Sequence, residues 1–302
     1  MSALLQSLIG TGNRRGVTSM ILAMLFYTSH DVFMKLAGQH VGFSQAIFLR
    51  GLFASLLAIT LVIGQGQIGN LHLLVNRKVL ARSSTEIGAT ICFVLALLHM
   101  PLGNITAIVM ASPLLLTAAA ALLLRETVGW RRWTAVCFGF IGVVLIVQPG
   151  AGGFSTWSLL ALFSMICIVM RDLVTRRIGM SLPGPIMVLA SCLAISFISG
   201  ILVLIIGWQD LPLETYLLLA ACAACVMIAY ILSIDFMRHG ELSVVSPFRY
   251  TGLLFALLIG YLLWDEIPNP MAAGGIALVL ASSLYLLHRE RVNARRLKVQ
   301  TA

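Results

Sequence analysis

Ten apolar runs, most of them long enough to cross a bilayer, follow one another along this chain with only short polar breaks between them. They fall at residues 17–36, 44–63, 81–98, 102–124, 133–147, 157–174, 186–206, 214–236, 242–263 and 271–287. In lipid, backbone N–H and C=O groups must be satisfied within the protein, which leaves helices and closed barrels. A helix needs about 20 residues to span the hydrocarbon layer. A barrel would show short alternating segments instead, and none are present. The expected fold is therefore all-α: a polytopic membrane protein of ten transmembrane helices. Composition agrees, with 60% hydrophobic and 10% charged residues and a mean hydropathy of +1.00. Soluble domains carry roughly a quarter charged residues, and a disordered chain is far more polar.

The basic residues orient such a chain, because cytoplasmic loops are enriched in Lys and Arg. With the N-terminus inside, 17 Lys and Arg fall on the inner segments and only Lys35 on the outer side; Arg50 and Arg249 lie within spans. This bias predicts both termini in the cytoplasm. It also accounts for most of the net charge of +9, with no basic face interleaved with aromatics to suggest nucleic-acid binding. Arg14 and Arg15 precede a run of spanning length, so the first run reads as a helix and not as a cleavable leader. All six cysteines (Cys92, Cys137, Cys167, Cys192, Cys222, Cys225) sit in apolar runs and read as small hydrophobes. Cys222 and Cys225 form a C-x-x-C, with no further ligands nearby to complete a metal site.

The two halves resemble each other at an offset of 140–141. Met24, Asp31 and Lys35 recur as Met165, Asp172 and Arg176, and His99 as His239. Leu124-Arg125-Glu126-Thr127 recurs as Trp264-Asp265-Glu266-Ile267. Five spans per half is an odd number, so the second half enters the membrane in the opposite sense. Residues 1–150 and 151–302 then form two inverted five-helix repeats, a plan of secondary transporters with the substrate near midplane.

The two five-helix halves, the acidic end of the fourth helix in each (Arg125-Glu126, Asp265-Glu266) and the glycine-bearing helix that follows (Gly139, Gly142; Gly274, Gly275) resemble the drug/metabolite transporter superfamily, in its ten-helix EamA-type branch. The resemblance covers about residues 16–288. It implies a bacterial inner-membrane carrier whose cavity is lined by helices 1, 3, 4, 6, 8 and 9. Members of the family move amino acids, nucleotide sugars, nucleosides and other metabolites, and several export amino acids.

An ionisable side chain inside a span needs a partner or a wet cavity. Tyr27, His30, Asp31 and Met34 share one face of the first helix, extended by Met20 and Met24, which also suit plain packing. Asp31 and Arg50 lie at one depth and could pair; an unpaired Arg50 could instead hold a substrate carboxylate bidentately. Asp172 could pair with Arg171 or Arg176. Alternatively, Arg249 could meet Asp172 or Asp235, as an inner gate or a static pair, beside Pro247, which frees a backbone carbonyl. Glu86 could snorkel. Ser243, Ser246 and Tyr250 form a face whose repeat counterparts are Gly103, Thr106 and Met110. Asn104, Phe93 and Tyr230 complete the candidate cavity wall. The tryptophans at span ends fit a headgroup belt. The glycine pairs permit close helix contact, within a monomer or in a homodimer.

No G-x-x-x-x-G-K-[ST] phosphate loop, H-E-x-x-H or G-x-S-x-G occurs, and no cofactor or metal is expected. The expected function is secondary transport by alternating access, with export of an amino acid, aromatic or otherwise hydrophobic, as the first reading. Tyr27, His30, Met110, Ser246 and Tyr250 would touch the cargo, and Asp31/Arg50 and Asp172/Arg249 would close the two ends. A phosphorylated solute would want more inward cations than Arg50 and Arg249 supply. Uptake or exchange of a vitamin-like or nucleoside solute is the alternative, and a membrane enzyme or structural protein is the alternative of another class. His30 admits two roles, proton carrier or neutral hydrogen-bond donor.

Overall fold

The structure, a computed structural model, describes residues 12–123, 129–148, 155–178, 182–239 and 242–300. The ten expected spans are present as helices long and apolar enough to cross a membrane, with ends within a few residues of those read from hydropathy. In chain order they are α1 (Gly12–Ala37), α2 (Phe43–Gly64), α3 (Arg77–His99), α4 (Leu102–Met110) with α5 (Ser112–Leu123), α6 (Trp130–Val147), α7 (Thr156–Ile178), α8 (Gly184–Ile206) and α9 (Leu213–His239). The short α10 (Leu242–Val245) precedes a 3₁₀ segment (Ser246–Tyr250) and α11 (Thr251–Trp264), and α12 (Pro270–Gln300) closes the chain. Among the described residues there is no strand.

The chain divides into two compact units that do not coincide with the sequence halves. One comprises Met1–Phe26, Pro101–Ser155 and Ala229–Ala302; the other comprises Tyr27–Met100 and Thr156–Ile228. Each therefore draws on both halves.

In the second of these units, α2 packs on α8 in reversed order. Gln45 Nε2 donates to the Gln209 carbonyl (2.8 Å), and the Gln209 N–H donates back to Gln45 Oε1 (3.0 Å). Further along, Phe48 lies against Gly200, and Gly51 faces Ser196. The residue numbers rise on one helix as they fall on the other, so the two run antiparallel. α3 and α7 are likewise antiparallel: His99 stacks on Trp157 (centroids 3.6 Å apart), Gly88 faces Cys167, and Ser164 Oγ donates to the Ala89 carbonyl (3.0 Å).

In the other unit, α6 and α12 meet backbone to backbone. A Cβ on Gly142 would lie 2.8 Å from the Gly275 carbonyl oxygen, and one on Gly275 would lie 2.6 Å from that of Gly142. Gln148 and Asn269 bond side chain to side chain at the end of the same contact (2.8 Å). These glycines thus serve a contact within the chain. α4 crosses α11 with Gly103 against Leu257 and Met110 against Gly252.

The fourth and ninth spans are both interrupted, at matching places. Pro113 has no N–H to continue the ladder, and α4 ends at Met110, where the Ala111 N–H turns to the Ile108 carbonyl (3.1 Å). In the ninth span Pro247 opens the 3₁₀ segment, which ends at Tyr250; there Thr251 Oγ1 donates to the Phe248 carbonyl (2.7 Å). Met110, Ala111 and Ile108 correspond to Tyr250, Thr251 and Phe248 at an offset of 140.

Candidate functional site

The ionisable groups that hydropathy places inside the spans gather in three clusters, each within one unit. The first joins α1, α2 and α9. His30 lies seven residues before the end of α1 and Arg50 seven residues after the start of α2, each about 10 Å into its helix at 1.5 Å per residue. Arg50 Nη1 is 3.0 Å from His30 Nε2, and His30 Nδ1 is 2.9 Å from Asp31 Oδ1. A guanidinium offers donors only. Arg50 therefore donates to Nε2, and the ring is the neutral tautomer that carries its hydrogen on Nδ1 and donates it to Asp31. Cys222 Sγ on α9 donates to the His30 carbonyl (3.3 Å). The direct Asp31–Arg50 pair expected from depth is not formed: the imidazole stands between the two charges. Among the described residues, this bond to His30 is the one hydrogen bond of Arg50, whose Nε is buried without a partner.

The second cluster joins α3, α7 and α8. Arg171 binds Asp172 (Nη2 to Oδ1, 2.8 Å) and Glu86 (3.3 Å), and Arg82 lies 3.6 Å from Glu86. Arg82 also donates to Ser191 Oγ (2.7 Å) and Thr175 Oγ1 (3.2 Å). Glu86 is held between two arginines and does not snorkel. Its place and that of the first cluster are related: His30, Asp31 and Arg50 correspond at an offset of 141 to Arg171, Asp172 and Ser191, and Arg82 corresponds at 140 to Cys222. The same fold position thus holds a permanent cation on α7 and a titratable imidazole on α1. Cys192 lies within electrostatic range of Arg50, Arg82 and Glu86, between the two clusters.

The third cluster belongs to the other unit. Arg15 forms an ion pair with Asp235 and donates Nε to it at 3.0 Å, and Ser19 Oγ donates to the same carboxylate at 2.7 Å. Asp235 is therefore engaged by Arg15 and not by Arg249, and Asp172 by Arg171. Arg249 itself is exposed, with no ion pair among the described residues, so the expected Asp235–Arg249 pair is not formed; Asp172 and Arg249 belong to different units. Around the breaks in the fourth and ninth spans, Met24 and Met110 converge on Gly252, Tyr250 is buried, and Ser246 lies half-buried. On α4, Asn104 Oδ1 and Thr106 Oγ1 are buried without a hydrogen-bond partner among the described residues.

Of the remaining expected wall residues, Tyr27 and Phe93 are half-buried in the unit of the first two clusters, and Tyr230 is half-buried in the other. The side chain of Ser243, and Arg125 and Glu126, lie outside the described residues. The Asp172–Arg171 pair is the expected alternative that forms. Sequence reasoning passed over Arg15, Ser19 and Arg82 as partners, the two arginines counting as loop charges. The signal was available. Asp235 and Glu86, near the ends of their spans, needed cations at the same level on neighbouring helices.

Ten spanning helices with interrupted fourth and ninth spans and charge clusters buried among them define a polytopic membrane transporter. The sequence matches the EamA-like transporter family twice, over residues 14–148 and 155–287, and the chain belongs to that family. It is 21% identical over 290 residues to an S-adenosylmethionine uptake transporter of Rickettsia bellii, covering 91% of this chain and 94% of that one. It is 29% identical over 222 residues to a riboflavin transporter of Rhizobium johnstonii (73% and 71% covered). A pseudopaline exporter of Pseudomonas aeruginosa is 22% identical over 283 residues (89% and 94% covered). A solved crystal structure superposes with a TM-score of 0.65 at 18% identity, covering 94% of this chain and 99% of that one, a likeness of fold.

Proposed function

We propose that the protein is a secondary carrier, not an enzyme, that moves an amino acid or similar carboxylate-bearing metabolite across the bacterial inner membrane by alternating access. One observation carries the cargo class. Arg50 is 9% exposed, donates to a neutral imidazole, and keeps a buried Nε with no partner. A buried cation so placed lacks a direct counter-charge, and a carboxylate matches the edge of a guanidinium bidentately. Among the solutes named for the relatives, S-adenosylmethionine carries an α-carboxylate and riboflavin does not.

Several features support two inverted repeats as the working parts. The repeat-mate pairs α2/α8, α4/α11 and α6/α12 each run antiparallel by the order of their contacts. Broken helices that meet near their interruptions are a recurrent device of carriers. The 17-to-1 bias of basic residues favours both termini in the cytoplasm. Export of hydrophobic and aromatic amino acids is the form of the reading that the sequence resemblance favours. Relatives are named for uptake and for export alike, and a carrier of this kind moves cargo down the gradients it is given.

Flux into liposomes tests the reading, with L-phenylalanine, L-methionine, S-adenosylmethionine and riboflavin as solutes and the methyl esters of the two amino acids as controls. Movement of the carboxylates but not of the esters is the expected result. Riboflavin flux with no carboxylate flux would remove the cargo class; no flux of any solute by folded protein would remove the carrier.

A further inference from the structure

Arg50 and a proton compete for one atom, His30 Nε2. While the guanidinium donates to Nε2 (3.0 Å) the ring stays neutral, and its other nitrogen is committed to Asp31 (2.9 Å). A proton on Nε2 would set two donors against each other. Among the described residues, His30 meets Asp31 on its own helix, Arg50 on α2 and Cys222 on α9, and Tyr27 lies one turn earlier on the same face of α1. Cys192 on α8 lies near Arg50, with Arg82 and Glu86 of α3 the next charges.

We infer that carboxylate binding at Arg50 loads a proton on His30, so that the carrier co-transports the two. This inference rests on the carboxylate-carrier reading above. A carboxylate that takes the Arg50 donors draws the guanidinium off Nε2. The vacated lone pair then accepts a proton from water on the side open to cargo, forming the Nε2–H bond. The resulting imidazolium keeps its Nδ1–H bond to Asp31. The carboxylate group's negative charge and the entering proton cancel within the Asp31, His30 and Arg50 cluster, as a low-dielectric setting demands. With a zwitterionic amino acid the coupled step carries the proton's one net positive charge. Release on the far side reverses each step: the carboxylate leaves, Arg50 returns to Nε2, and the proton passes to water there.

The second cluster supplies the internal comparison. At the position equivalent to His30 it holds Arg171, which carries a permanent charge and is bound by Asp172 and Glu86. That cluster cannot take or release a proton on its cation. Of the two related positions only the one on α1 can switch. By reciprocity, a fall in pH tightens carboxylate binding by the same factor by which the carboxylate raises proton affinity.

Two measurements test this. In liposomes with a trapped pH dye, L-phenylalanine entering through the wild-type protein acidifies the lumen. In His30→Gln, which can still accept from Arg50 and donate to Asp31, the acidification per L-phenylalanine transported is lost, and so is the response to an imposed pH gradient. Flux without acidification in the wild type, or acidification that persists in His30→Gln, overturns the coupling and leaves the carrier reading intact. The second measurement needs no transport. The ¹⁵N resonances of His30, assigned by their loss in His30→Gln, should show a neutral Nδ1–H ring at neutral pH. Saturating acetate should convert that ring to imidazolium, and acetamide should leave it unchanged. A ring already charged without acetate, or unmoved by it, sinks the inference whatever the flux.

Discussion

Glu266 Oε2 accepts the backbone N–H of Leu102 at 2.6 Å. The acidic residue that follows the ninth span thereby caps the start of α4, the first segment of the fourth. Gly260 leaves the room: a Cβ there would lie 2.9 Å from the same oxygen. A carboxylate at a helix N-terminus satisfies an orphan donor and meets the positive end of the helix dipole. Glu266→Ala should lower unfolding stability by ~1–2 kcal/mol, read as a fall in melting temperature in detergent, while Glu266→Gln, which keeps an acceptor, should lose less.

Gly142 and Gly275 should tolerate no side chain. Each Cβ would press on backbone oxygen of the opposing helix, at 2.8 and 2.6 Å, so α6 and α12 would have to separate. Gly275→Ala should lose roughly 1–3 kcal/mol. Gly274→Ala is the control: nothing lies within 4 Å of a Cβ built there, and its melting temperature should match the wild type. Equal losses in the two variants would refute the close contact.

Removing one member of the Arg15–Asp235 pair leaves the other charge nearly buried, with side chains 11% and 14% exposed. Arg15→Ala should lower the melting temperature in detergent, and Asp235→Ala similarly. The double variant should lose less than the sum of the two, a coupling that a double-mutant cycle measures directly. Additive losses would mean that the pair contributes nothing as a pair.

Arg249 is expected to behave in the opposite way. Exposed and without an ion pair among the described residues, it should be replaceable by Ala with a change in folding stability within about 0.5 kcal/mol. If it acts on cargo beside the interrupted ninth span, the same substitution should cut liposome flux by about tenfold or more. A variant that is both fully stable and fully active would leave Arg249 no role in transport.

The ten spans were legible because apolar length is a property of the chain alone. Pro247 also announced the interruption of its helix without any fold in view. The matching interruption at Ala111 was harder to read, because Pro113 sits two residues past the break and its surroundings look uniformly apolar. Side-chain pairing was the less legible part. Depth along a span put Asp31 and Arg50 at one level, but depth says nothing about rotation, and His30 turned out to fill the gap between them. Arg15, Arg82 and Arg171 served the orientation argument as loop charges while also closing ion pairs inside the helices. A charge near a span end does both, and only neighbours brought close by the fold distinguish the two uses.

The contact between Gly142 and Gly275 has a bearing on biosynthesis. The two residues are 133 positions apart, and the bond between Gln148 and Asn269 is nearly as long in sequence. While ribosomes are still completing the message, α6 must wait in the bilayer with its narrow glycine face uncovered, until the last helix is threaded in beside it. A nascent chain stopped before residue 270 would expose that face to the surveillance proteases of the membrane, so early termination should clear the product and leave no stable fragment.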